Sequence, residues 1–418
     1  MSSTQPYPRM VELRQRFDAV VLDDVPGAAR REVAATGALE GLQPGARIAV
    51  TAGSRGIANI ASITRTVVDL LVEAGARPFV VPAMGSHGGA AAEGQRQVLD
   101  SYGISEATMG VPVEATMDVV EVTRLDDGTP VLVNRLAAEA DGIVLINRVK
   151  PHTSFRGRFE SGLMKMMTIG LGSHRGATFA HAQGADGLAR LVPAVGAAVI
   201  ANLPVLLGLA IIENAYDQTA RLVGLRGDQI EAQEPELLIE ARAAMPRLLV
   251  QGIDLLIVDE MGKDISGTGM DTNVLGRMML PGIPEPEAPG VKRIMVRALS
   301  ERTHGNANGV GLADVITRRL HGQIDFPATY ANAFTSTFLN RAYIPVVMET
   351  DREAVEAMFE VLRLENPGEA RLVRLRNTLE LEHIQVSETL AGEFDGHPDL
   401  EREGDLKPMT FNAAGALV

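Results

Sequence analysis

The chain has no cysteine and no tryptophan, and aromatic residues make up only 4 % of its 418 positions. Without thiolates it can form no disulfide, no cysteine-ligated zinc site and no protein-ligated iron–sulfur cluster, which leaves His, Asp and Glu as its strong metal ligands. Any sulfur at an active site would have to arrive with a cofactor. Basic residues are also in the minority, with 39 Lys and Arg against 53 Asp and Glu and a formal net charge of −14. An acidic chain with no basic run and few stacking side chains would repel a phosphate backbone, so nucleic acid is excluded as a partner. The first 17 residues carry prolines and charges where a signal peptide needs an apolar core, so the expected location is cytoplasmic. One charge-free stretch, 191–212, is interrupted by Pro193, Gly196, Asn202, Pro204 and Gly208. It reads as a helix over 195–201, a turn and a buried strand over 205–212 rather than as a membrane span.

Length alone predicts two or three domains. A β-branched run at 47–51 leads through Gly53-Ser54-Arg55-Gly56 into an apolar-periodic helix at 63–74. The pattern repeats with a strand at 78–82, the loop Met84-Gly85-Ser86-His87-Gly88-Gly89 and a helix at 90–102. A strand pair is expected at 119–122 and 130–134, then a short helix at 136–139, and GIVLIN at 142–147 reads as a strand buried on both faces. Beyond it a helix is expected at 230–244 and a seam near Pro246. A second series of strands follows at 254–258, 293–296, 372–375 and 382–386, with helices at 312–320 and 351–362 and a loose polar tail from Gly392. The prediction is an α/β protein of two domains, 1–248 and 249–418, with mostly parallel sheets and the active site in the interdomain cleft. The N-terminal domain would carry the chemistry and the C-terminal one close over it.

The eight histidines are unevenly spread, three of them falling within 150–184 around Lys165. Arg55 follows a strand, where a guanidinium either grips a carboxylate through two hydrogen bonds or simply decorates a turn. His87 sits among glycines in the equivalent loop of the next unit, as a solvated residue or a general acid/base. His152 lies just past GIVLIN, and with His87 could move protons near neutral pH from two sides of one carbon, as a racemase requires. Lys165 lies among methionines on a short helix, either snorkelling from an apolar face or desolvated and available for covalent attachment. His181 follows 181 − 165 = 16 residues later, reached by a chain turning back through Gly170, Gly172 and Gly176. The segment 170–176 resembles a phosphate-cradling loop with Ser173 and Arg175 as donors, though it lacks G-x-G-x-x-G spacing; His174 beside them is a phosphate or structural residue. His304 opens a second glycine-rich run to which the residues assign no role.

Together these motifs resemble the nickel-pincer-nucleotide lactate racemases and their relatives. Ala83-Met84-Gly85-Ser86-His87 matches that family's A-x-G-x-H loop. Ser161-Gly162-Leu163-Met164-Lys165 is similar to its S-G-G-x-K motif, and the spacing to His181 fits its nickel ligand. The resemblance runs over about the first 250 residues. It implies that Arg55 binds a substrate carboxylate and that His87 and His152 form the acid/base pair. Lys165 would tether a pyridinium-3,5-bisthiocarboxylic acid mononucleotide and His181 would ligate its nickel. It also implies cofactor-biosynthesis enzymes as partners and leaves assembly into homo-oligomers open.

The departures bear on the substrate. Ala52 stands where the family has an aspartate, Gly88 replaces a basic residue, and three extra residues lie between His152 and Lys165. Asp271-Thr272-Asn273 matches a family D-x-N, but the polar and lysine residues expected after it read Leu275, Gly276, Arg277 and Met279. The expected activity is therefore racemisation or epimerisation of a 2-hydroxy acid other than lactate. Two other readings remain: an oxidoreductase using a free dinucleotide, for which no glycine fingerprint is present, and a non-catalytic binder of hydroxy acid or nickel nucleotide.

Overall fold

Strand-forming runs and apolar helices alternate through most of the sequence, and the computed structural model folds them into two compact units. It describes residues 7–54, 56–281 and 283–418. One unit is Asp18–Met245; the other joins Met1–Phe17 to Pro246–Val418. The strand order begins with β1 (Arg9–Gln15), which belongs to the second of these.

The Asp18–Met245 unit holds β2 (Arg47–Ala52), β3 (Arg77–Pro82), β4 (Val119–Arg124), β5 (Pro130–Asn134), β6 (Gly142–Arg148), β7 (Val205–Glu213) and β8 (Thr219–Arg226). Five of them form one sheet in the order β3-β2-β6-β7-β8, parallel except for the last pair. The strand period of two puts Ile143 and Leu145 of β6 into one core and Val144 and Ile146 into the other, which is why GIVLIN is apolar throughout. Helices Val25–Ala35 and Ile60–Glu73 cover one face. Gly184–Asn202 and Ile230–Ala244 cover the other. β4 and β5 pair separately as an antiparallel ribbon.

The helix expected at 195–201 starts eleven residues earlier, at Gly184, and continues through Pro193. It is long and apolar enough to cross a membrane by composition. Here Leu188, Leu191, Val192, Val195 and Val199 instead fill the core beside the sheet.

The other unit adds β9 (Leu255–Met261), β10 (Arg293–Leu299), β11 (Val315–Thr317), β12 (Val346–Met348), β13 (Leu372–Leu375), β14 (His383–Ser387) and β15 (Leu400–Pro408). Their order is β12-β11-β10-β9-β13-β14-β1-β15, parallel as far as β13 and antiparallel beyond. Two expectations are corrected. The 312–320 stretch is not one helix, because the β-branched Val315-Ile316-Thr317 pairs as β11 between β10 and β12 before the helix Arg318–Gln323 begins. The tail is not loose: β15 has no buried position, and the backbone bonds of β1 hold it in place. The fold class is α/β, with mixed sheets rich in parallel pairs.

Candidate active site

The carboxyl ends of adjacent parallel strands are where an α/β sheet offers loops to a ligand. β3, β2 and β6 lie side by side in that order, so the loops after β3 and β6 are roughly 10 Å apart at inter-strand spacing. The loop after β3 carries His87, which is exposed; the chain after β6 carries His152, which is half-buried. Arg55, in the loop after β2, lies outside the described residues.

The Lys165 segment is built directly against these loops. Asn147, near the end of β6, donates from Nδ2 to Gly162 O at 2.8 Å. Lys150 and Ser161 exchange backbone hydrogen bonds of 2.9 and 3.0 Å, closing the His152 loop onto the start of the Lys165 segment. Lys165 ends the short helix Leu163–Lys165, and the chain then runs on as a single π-helical turn, Met166–Gly170. Such turns are rare and concentrate at functional sites. Thr51 Oγ1 of β2 reaches Met166 Sδ at 2.8 Å. Gly85 N donates to Gly170 O at 3.2 Å, and a Cβ on Gly170 would lie 2.6 Å from Ala83 O. The His87 loop therefore rests on the π-turn, and only glycine fits beneath it.

His181 is the last residue of the helix Ser173–His181. Burial, and secondarily the nearby Lys165 ammonium, lower its pKa from 6.5 to about 4. The imidazole is therefore neutral at pH 7 and keeps a lone pair, the form a metal ligand needs. Among the described residues no group of three or more His, Asp or Glu side chains is arranged to hold a metal ion.

The 170–176 stretch, expected as a phosphate-cradling loop, is the end of the π-turn followed by the first turn of a helix. Ser173 is buried with its hydroxyl 3.4 Å from Asn134 Nδ2, so it faces protein rather than a phosphate. Arg175 and His174 are exposed on that helix, and Thr178 Oγ1 lies 3.5 Å from His174 Nδ1.

Two carboxylates missed on sequence complete the site. Glu234, only 1 % exposed, accepts the Met164 N–H at 3.0 Å through Oε2 and thereby caps the start of the Lys165 helix. Its Oε1 has no hydrogen-bond partner among the described residues, and burial raises its pKa from 4.5 to about 7 against the opposing pull of the Met164 and Leu163 amides. Glu160, equally buried, accepts the His152 N–H at 2.6 Å and Arg242 Nη2 at 2.8 Å. Its pKa is also raised by burial, with the amides and arginines around it working the other way. Neither acid stands in a motif; Glu160 acts on a loop eight residues before it, and Glu234 on a helix 70 residues before it.

The site thus lies in an α/β unit that carries a strand-end histidine pair and, on the two helices that flank a π-turn, Lys165 and His181. Residues 40–187, which contain all of these, match the family model of the lactate racemase N-terminal domain, and this part of the chain is lactate racemase-like. The chain is also similar in structure to the lactate racemase apoprotein from Thermoanaerobacterium thermosaccharolyticum, with 14 % identity and a TM-score of 0.48 over 84 % of this chain and 91 % of that one. No curated protein matches the chain.

Proposed function

We propose that the chain is a racemase or epimerase of a 2-hydroxy acid other than lactate, working with a nickel-pincer nucleotide held on Lys165. The observation that carries this reading is the lysine beside a neutral, buried histidine, on a segment matched by the lactate racemase family model. When bound, that nucleotide supplies a reversible hydride acceptor and the carbon and sulfur donors that a cysteine-free chain lacks. Lys165 is the group for covalent attachment through its amine, and His181 is the imidazole ligand on the protein side. Arg55 holds the substrate carboxylate, and His87 and His152 address its hydroxyl oxygen. What sets the substrate apart from lactate is that Ala52 and Gly88 stand where the family has an aspartate and a basic residue.

The test does not depend on knowing the substrate. After co-expression with the enzymes that make the cofactor, the intact protein should gain the mass of a covalent adduct that maps to Lys165 and should contain nickel. His181→Ala should lose nickel while His87→Ala retains it. Protein with neither adduct nor nickel would sink the proposal. During turnover, solvent deuterium should stay out of the substrate's C2, and extensive incorporation would point instead to carbanion chemistry.

A further inference from the structure

The segment from His152 to Lys165 is tied to the helix Ile230–Ala244 at three points. Near the helix start, Arg158 Nη1 lies 3.7 Å from Glu231 Oε1, and its Nη2 donates to the Glu231 carbonyl at 3.2 Å. Less than a turn later, Glu234 accepts the Met164 N–H at 3.0 Å. Near the helix end, Arg242 donates from Nη2 to Glu160 Oε1 at 2.8 Å. Glu234 and Arg242 are 242 − 234 = 8 residues apart, about 12 Å along the axis, so one rigid rod carries the anchors of both ends of the segment.

The ties differ in kind. Arg158 and Glu231 are both exposed, and such a pair holds little. The Glu160 side chain is only 1 % exposed, although that of Arg242 is 51 % exposed. Glu160 Oε2 accepts the His152 backbone N–H at 2.6 Å, with Arg156 Nη1 at 3.4 Å. Both carboxyl oxygens therefore face donors, the arrangement that an ionised carboxylate satisfies and a protonated one does not. Burial favours the protonated form, while the His152 amide and the guanidinium groups of Arg156 and Arg242 work against it. A half-exposed arginine thus reaches into the core and supports the acceptor on which the His152 backbone hangs.

We infer that Arg242 is a positioning residue for His152: through Glu160 it fixes the loop after β6 to the same helix that holds the Lys165 segment through Glu234. His152 keeps its place in the acid/base pair. That catalytic consequence rests on the reading above, whereas the link from Arg242 to the His152 backbone does not. The spacing between the histidine and the lysine is then set by a helix and not by the loop that joins them.

The link is tested by amide hydrogen exchange in the full-length apoprotein. In Arg242→Ala the His152 amide should exchange at least tenfold faster while the amides of β6 keep their wild-type rates, and Arg242→Lys should restore most of the protection. Unchanged exchange at His152, or equal acceleration throughout β6, overturns the inference. The second arm uses the cofactor-loaded enzyme. Arg242→Ala should keep its Lys165 adduct and its nickel, lose about tenfold or more in kcat and hold KM within about twofold, with Arg242→Lys recovering most of the loss. An unchanged kcat, or a change confined to KM, overturns the positioning role. Faster exchange at His152 in a protein that turns over no hydroxy acid upholds the link and defeats the proposed function.

Discussion

At the scale of single residues, the most constrained point near the candidate site is the contact between Gly162 and Glu234. A Cβ at position 162 would lie 2.3 Å from Glu234 Oε1, inside a buried carboxylate that cannot swing out to solvent. Gly162→Ala should cost about 1 to 3 kcal/mol, read as a lower denaturation midpoint, and should loosen the helix that carries Lys165. Glu234 also predicts a pH effect of definite sign. Its carboxyl titrates at about 7 in the folded protein and near 4.5 unfolded, so between those values the folded state holds a proton that the unfolded chain has released. Stability from this group is therefore greatest below pH 4.5 and falls as pH rises to 7, by on the order of 3 kcal/mol. Denaturant titrations of wild type and Glu234→Gln at pH 5 and pH 8 should show the wild-type difference between the two pH values more negative by about that amount. Equal pH dependence in the two proteins would show that Glu234 is ionised throughout.

At the scale of elements, the π-turn Met166–Gly170 is the platform for the loop that carries His87. Gly170→Ala would drive a methyl group into the Ala83 carbonyl, a backbone atom, and break the 3.2 Å bond from Gly85. The variant should keep its far-ultraviolet dichroism yet lose at least tenfold in kcat/KM, because the His87 loop moves while the sheet does not. This level also shows what could be read beforehand. The helices Ile230–Ala244 and Asp351–Leu362 and the strand β6 follow from apolar periodicity, because each buries a continuous stripe or both faces. β11 has three residues and β15 no buried position, so neither leaves a pattern strong enough to read. The glycine-rich 170–176 stretch misleads in the other direction: its glycines serve close packing within helical turns, Gly172 against Thr168 O and Gly170 against Ala83 O, and not an open loop. In the site, His87, His152, Lys165 and His181 are legible because they follow strands or cluster in the chain. Glu160 and Glu234 are not, since Arg242 lies 82 positions from the first and Met164 lies 70 from the second.

At the scale of the whole molecule, the residues assigned to chemistry lie in Asp18–Met245, while β1 belongs to the other unit, between β14 and β15. Removing residues 1–17 would uncover two strand edges at once and leave β15 with no partner. Hydrogen exchange on such a truncation should show protection lost in β14 and β15 and kept in β2, β6 and β7; uniform loss would mean that the units do not unfold separately. The position of β1 also sets a timetable for synthesis. Both of its neighbours are encoded some 370 residues after it or more, a wait of roughly 20 to 80 s at ordinary elongation rates. The unit bearing Lys165 is complete well before that. A nascent chain stalled after Met245 should already display a folded site segment while an unpaired β1 is still exposed, and in that interval the strand is most open to chaperones or to the wrong partner.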